Sequence, residues 1–201
     1  MGFAVELPKQ HRSEGFSSKS RWRLVKITGE ETGFYFVDRD GNKLNGKIYS
    51  GASWFREGLA AVEDDGKWGF IDETGKYQIS AKFVGARSFG SDGLAAAAIR
   101  NQEREKVWGF IDKRGEWVVA PAYEWAVGFS CGIGAVWKDK MWRYINRQGE
   151  AVFEDIEYAA GHAIDFDSGL ARTFVDTEDA ANILTYLDTS GKVVWQQRPV
   201  T

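Results

Sequence analysis

Short apolar runs of four to eight residues, each closed by a turn signal, recur along the whole chain. In "KWGFIDETGK" (67–76) and again in "VWGFIDKRGE" (107–116), large apolar side chains alternate across two faces before an acid and a glycine. Such runs are too short for helices and predict strands. Aligned on the acid, five copies appear: "FYFVDRDG" (34–41), "WGFIDETG" (68–75), "WGFIDKRG" (108–115), "WRYINRQG" (142–149) and "LTYLDTSG" (184–191). A Gly-Leu-Ala-rich run precedes four of them, as in "FREGLAAV" (55–62), "FGSDGLAAA" (89–97), "FSCGIGAV" (129–136) and "FDSGLART" (166–173). The degenerate "SRWRLVKI" (20–27) precedes the first. A further run, such as "KYQIS" (76–80) or "EWVVA" (116–120), follows the glycine. Each copy therefore predicts three antiparallel strands.

Within each middle strand one face is aromatic and the other aliphatic. Phe36, Phe70, Phe110, Tyr144 and Tyr186 lie on the first face; Val37, Ile71, Ile111, Ile145 and Leu187 lie on the second. A strand apolar on both faces belongs to a sheet covered on both sides. Gly69 and Gly109 predict close approach from an adjacent unit. The acid position is explained by its turn. Asp38, Asp72, Asp112, Asn146 and Asp188 each stand three residues before a glycine, and Asp or Asn opens a tight turn by accepting backbone hydrogen bonds. Asn serves in one copy, so charge is not the requirement, and none of the five is a catalytic acid.

These runs, with "F..G(L/I)A.V" and the "APAY" at 120–123, resemble the bacterial WG-repeat proteins, over residues 20 to 195. The resemblance implies a β-rich interaction module and brings no shared catalytic residues. The expected fold is all-β: about five three-stranded antiparallel units in tandem, propeller-like or an open curved array. The units fall at about 20–50, 55–85, 89–123, 129–156 and 166–197 of a single domain spanning 20–201, after a polar extension at 1–19. The end copies lose the Trp-Gly pair, as capping repeats of an open stack do.

Composition changes the picture in few places. The chain has 201 residues, nine Trp, 23 Gly and one cysteine, which excludes an intrachain disulfide. The start lacks the apolar core of a secretory signal, and no run approaches the length of a membrane helix. A cytoplasmic protein is expected, without membrane attachment.

Functional residues are sought where the pattern breaks. Four connections from third strand to next first strand, "YSGASWF" (49–55), "FVGARSF" (83–89), "YEWAVGF" (123–129) and "YAAGHAIDF" (158–166), predict loops along one edge. Trp54 and Trp125 stand in these loops outside the regular aromatic positions, either as partner anchors or tucked under the loop. Arg143 replaces the small residue of the Trp-Gly pair and predicts a partner contact or an ion pair.

Charge is also uneven. Residues 150–190 hold ten acids (Glu150, Glu154, Asp155, Glu157, Asp165, Asp167, Asp176, Glu178, Asp179 and Asp188) against the one base Arg172. Residues 1–26 hold six bases against two acids. The acidic sector disfavours nucleic acid and favours a basic protein partner, with a solvated face as the alternative.

Chemistry is thinly represented. His11 lies in the extension, and Cys131 sits in "GFSCGIG", whose glycines belong to the repeat turn. Neither a cofactor nor a metal is expected. The expectation is a non-catalytic protein-binding module, with Trp54, Trp125, Arg143, Glu154, Asp155, Glu157, His162, Asp165 and Asp167 as partner-binding residues. Its pointed form is a neutralising, immunity-type partner of a basic bacterial toxin or effector. The alternative is a small-ligand or divalent-metal binder, or a weak enzyme, using Glu157, His162, Asp165 and Asp167 in the 157–167 loop.

Overall fold

The acid-to-glycine turns shape the fold most directly. In the computed structural model, which describes residues 20–28, 32–153, 158–163, 166, 169–175 and 183–197, all five turns close alike. The side-chain oxygen of Asp72 accepts the backbone N–H of Thr74 (2.8 Å) and of Lys76 (3.1 Å). Asn146 does the same for Gln148 (2.9 Å) and Glu150 (3.0 Å), so the amide replaces the carboxylate without loss of geometry. Gly75, Gly115 and Gly149 follow at φ near +80°, where a side chain would be strained.

The turns connect strands into successive sheets. A two-stranded sheet comes first, from β1 (Arg23–Ile27) and β2 (Gly33–Val37). Four up-and-down sheets of four strands follow. The second sheet holds β3 (Gly51–Ala52), β4 (Leu59–Asp64), β5 (Lys67–Asp72) and β6 (Tyr77–Phe83). The third holds β7 (Gly85–Phe89), β8 (Ala95–Arg100), β9 (Lys106–Ile111) and β10 (Trp117–Tyr123). The fourth holds β11 (Trp125–Ser130), β12 (Ile133–Lys138), β13 (Met141–Ile145) and β14 (Ala151–Val152). The fifth holds β15 (Tyr158–Ala163), β16 (Leu170–Val175), β17 (Ile183–Asp188) and β18 (Val193–Gln196). Every pairing is antiparallel, and no helix occurs among the described residues. The all-β tandem architecture is as expected.

The predicted edge loops are corrected. Most of 83–89, 123–129 and 158–166 is strand, as is Gly51–Ala52 within 49–55, and these segments supply the fourth strand of the four later sheets. Glycine and alanine conceal them in the sequence, because little large apolar alternation shows. Their backbones nevertheless pair with the Ala-rich strands: Ala52 with Val62, Ala86 with Ala97, Ala126 with Val136.

Packing proceeds face to face, one core between each sheet and the next. Phe36 meets Ile71 between the first and second sheets, and Phe70 meets Ile111 between the second and third. Phe110 meets Ile145, and Tyr144 meets Leu187, in the two that follow. The aromatic face of every sheet thus covers the aliphatic face of its successor. The small Ala60, Ala61, Ala95, Ala96, Ala97 and Ala98 are wholly buried on the middle strands and let neighbouring sheets approach. Among the described residues, the substantial contacts between sheets join sequence neighbours, and none joins the first sheet to the last. The array is open, not a closed barrel.

The glycine of the Trp-Gly pair answers to a neighbour other than the one expected. A Cβ on Gly69 would fall 2.7 Å from the carbonyl oxygen of Ile79, and one on Gly109 2.5 Å from that of Val119. Those atoms belong to the last strand of the same sheet, not to the adjacent unit. There β6 and β10 bulge as they cross β5 and β9, pairing Trp68 with Phe83 and Trp108 with Tyr123 beyond the bulge. Where Arg143 takes the glycine position, β14 stops at Val152 opposite Tyr144. Where Thr185 takes it, Thr185 and Tyr186 pair in register with Gln196 and Trp195, and the shift falls beyond them, between Tyr186 and Leu187. The glycine is the space a bulge requires.

Candidate functional site

The first strands β3, β7 and β11 bring two tryptophans to the surface on either side of β7. Trp54, just after β3, is 54% exposed, and its carbonyl accepts the Ser88 hydroxyl of β7 at 3.5 Å. Trp125 opens β11 and is 42% exposed. It occupies the position that Gly51 and Gly85 hold in the two preceding sheets, where the glycine lies beneath Trp68 or Trp108 of its own sheet. With an indole there instead, the ring of Trp125 turns toward Trp108 of the third sheet, at 5.3 Å between centroids.

Cations surround this pair. The Arg87 guanidinium, on β7, stands 4.7 Å from the Trp125 ring and 5.6 Å from that of Trp108. Lys106 places its ammonium 4.7 Å from the Trp108 ring. Partial burial, and then the charges of Arg87 and Arg100, hold the Lys106 pKa below its ordinary value. The Trp108 Nε1–H is buried with no hydrogen-bond partner. Neither Arg87 nor Lys106 was distinguishable as a functional position in the sequence. The available signal was the Gly51, Gly85, Trp125 series, in which one large residue breaks a small-residue column.

Arg143 is half-buried on β13, opposite Val136, with its Nε enclosed and unpartnered. Among the described residues it forms no ion pair. His162 falls within β15, so the segment expected as a binding loop is largely strand. Glu154, Asp155, Glu157, Asp165 and Asp167 lie outside the described residues. Among the described residues no group of three or more His, Cys, Asp or Glu side chains is gathered to hold a metal. Cys131 is exposed at φ +54° in the turn between β11 and β12.

A cleft of about 350 Å³ at Asp64, Asp65, Lys67, Tyr77 and Ala81 is open to solvent. Two of its polar groups, Asp64 and Tyr77, are bonded to one another. The Tyr77 hydroxyl donates to Asp64 at 3.1 Å, and Lys47 also bonds to that carboxylate. Burial first, and the Asp64 charge beside it, push the Tyr77 phenol well above its usual range. A phenol so held is a poor proton donor to a substrate.

A family described as "WG containing repeat" matches at residues 36–68, 68–101 and 108–142, about half of the chain. No curated protein matches. Among solved structures, one chain of the "Crystal Structure of Mitotic Checkpoint Complex" is similar at 14% identity and a TM-score of 0.40. That likeness covers 83% of this chain and 62% of the other.

Proposed function

The chain belongs to the WG-repeat family, and from that premise we propose a non-catalytic module that binds another protein along β3, β7 and β11. The exposure of Trp54 and Trp125 on either side of β7 carries this reading. The four inter-sheet cores hold their own aromatic rows, and neither tryptophan belongs to them. A large amphipathic ring left at the surface beside a cation is the residue type that anchors protein interfaces.

The finer reading is a neutralising, immunity-type partner of a basic bacterial toxin or effector. Its support is the ten acids against one base across 150–190, a balance that speeds encounter with a cationic protein. Arg143 and His162, with Glu154, Asp155, Glu157, Asp165 and Asp167, are the further contacts this reading proposes.

The test is recovery of partners from the protein's own cells by the tagged full chain, followed by titration against the partner identified. Trp54→Ala and Trp125→Ala should each weaken binding roughly 30-fold, as truncated anchors of about 2 kcal/mol do. Replacing Glu154, Asp155 and Glu157 by Lys should slow association most at low salt. A partner held equally by the double tryptophan variant would overturn the proposed surface. One indifferent to the charge reversal would overturn the basic-partner reading.

A further inference from the structure

The two ends of the array carry the two halves of the interface that is made four times inside it. Each internal junction sets an aromatic middle-strand residue of one sheet against the aliphatic residue that follows the equivalent aromatic in the next sheet: Phe36 with Ile71, Phe70 with Ile111, Phe110 with Ile145, Tyr144 with Leu187. The next aromatic in the series is Tyr186 on β17, and among the described residues no sheet follows it. The aliphatic residue before the series begins is Val37 on β2, and among the described residues no sheet precedes it.

Each of these two faces presents apolar side chains with a few bases among them. On the last sheet, Ile183, Thr185 and Leu187 are buried, while Leu184 and Tyr186 alternate with them and remain half-exposed. Tyr186 sits against Trp195 of β18 at 5.8 Å, and Trp195 is 51% exposed. Leu170 on β16 is exposed too, and Arg172 stands opposite Tyr186. On the first sheet, Val25 and Tyr35 are paired and half-exposed, next to the Arg23 and Val37 pair on the same face. Lys43 pairs with Val37 and lies 4.5 Å over the Tyr35 ring.

We infer that a second copy of this chain occupies these faces head to tail, the Tyr186 and Trp195 face of one protomer covering the Val37 and Tyr35 face of the next. The junction would repeat the aromatic-on-aliphatic packing of the four internal ones. Charge favours the same pairing. By composition alone, residues 1–26 hold six bases against two acids, and residues 150–190 hold ten acids against one base. Two like ends would repel, so the contact is heterologous, and a heterologous contact continues into a filament or closes into a ring of copies.

Sedimentation of the full chain over a wide concentration range, at low and high salt, tests this. The mean mass should rise beyond that of a dimer with concentration, and the rise should diminish at high salt. A tail variant, Tyr186→Glu with Trp195→Glu, and a head variant, Val37→Glu, should each remain monomeric. Their equimolar mixture should reach a dimer and stop, since one intact head and one intact tail remain per pair. Should either variant fail to fold by circular dichroism, the exposed changes Trp195→Ser and Lys43→Glu serve in its place. A wild-type chain that stays monomeric throughout overturns the inference. So does association that survives the tail variant, or a mixture that fails to dimerise.

Discussion

The ring of Phe70 on β5 lies 5.0 Å from that of Phe89, the last residue of β7, at an angle of 59°. The same relationship joins Phe36 to Phe55 at 4.8 Å, Phe110 to Phe129 at 5.0 Å and Tyr144 to Phe166 at 5.5 Å. One ring comes from the middle of a sheet and the other from the first strand of the next, or the connection just after it. Each pair therefore fastens two consecutive units, and all eight side chains are buried.

Phe110→Ala should cost about 3–5 kcal/mol, the usual range for emptying a packed phenylalanine site. The loss should be local, because repeat arrays are held by neighbour contacts. Hydrogen exchange should accelerate in the third and fourth sheets well before β1 and β2. Denaturant melts coupled to exchange measure both.

Gly109→Ala should destabilise by about 1–3 kcal/mol, as overpacking does. Its Cβ would meet three backbone atoms of β10, from the Val119 oxygen at 2.5 Å to the Ala120 carbonyl carbon at 2.9 Å, none of which can swing aside. At Gly58, where a Cβ meets nothing within 4 Å, Gly→Ala tests the strained φ of +82° alone. Comparing the two thermal midpoints separates lost space from backbone strain.

Asp72 should lend its turn a pH dependence. The Thr74 hydroxyl, with the N–H groups of Lys76 and Thr74, holds its carboxyl down to about 2 from an ordinary value of 3.8. A depressed folded-state pKa gives stability that is present above the unfolded value and is lost as pH falls through the folded one. The turn should therefore weaken between pH 4 and pH 2. Asp38 and Asp188 shift the same way, through Asn42 and Ser190. Asp72→Asn should retain the fold at pH 7, since Asn146 closes the same turn in its copy, and should flatten the acid limb of the unfolding curve. A limb left unchanged would separate acid unfolding from this turn.

Trp54→Ala and Trp125→Ala should differ in stability although both are exposed. Trp54, 54% exposed, has no ring contact among the described residues and should change stability by less than about 0.5 kcal/mol. Trp125 stacks with Trp108 and Arg87, and its loss should cost about 0.5–1.5 kcal/mol. Equal midpoints for the two variants would show that the Trp125 cluster contributes nothing to folding.

The sequence by itself determined the repeats, the turns and the two faces of each middle strand. Those features depend on interactions within a few residues: a carboxylate reaching the N–H groups two and four positions on, and side chains alternating along a strand. Asp72, Asn146, Phe70 and Ile71 are legible for that reason. Only the tertiary structure decided which backbone each strand meets. Segments rich in Gly and Ala, such as 83–89, became the fourth strands because a neighbouring strand offers hydrogen bonds at 95–100, a partner that local pattern does not encode. The purpose of Gly109, a bulge of β10, and the gathering of Trp125 with Trp108, Arg87 and Lys106 are likewise set by residues distant in the chain. So are the faces at Val37 and Tyr186, which no other sheet covers among the described residues.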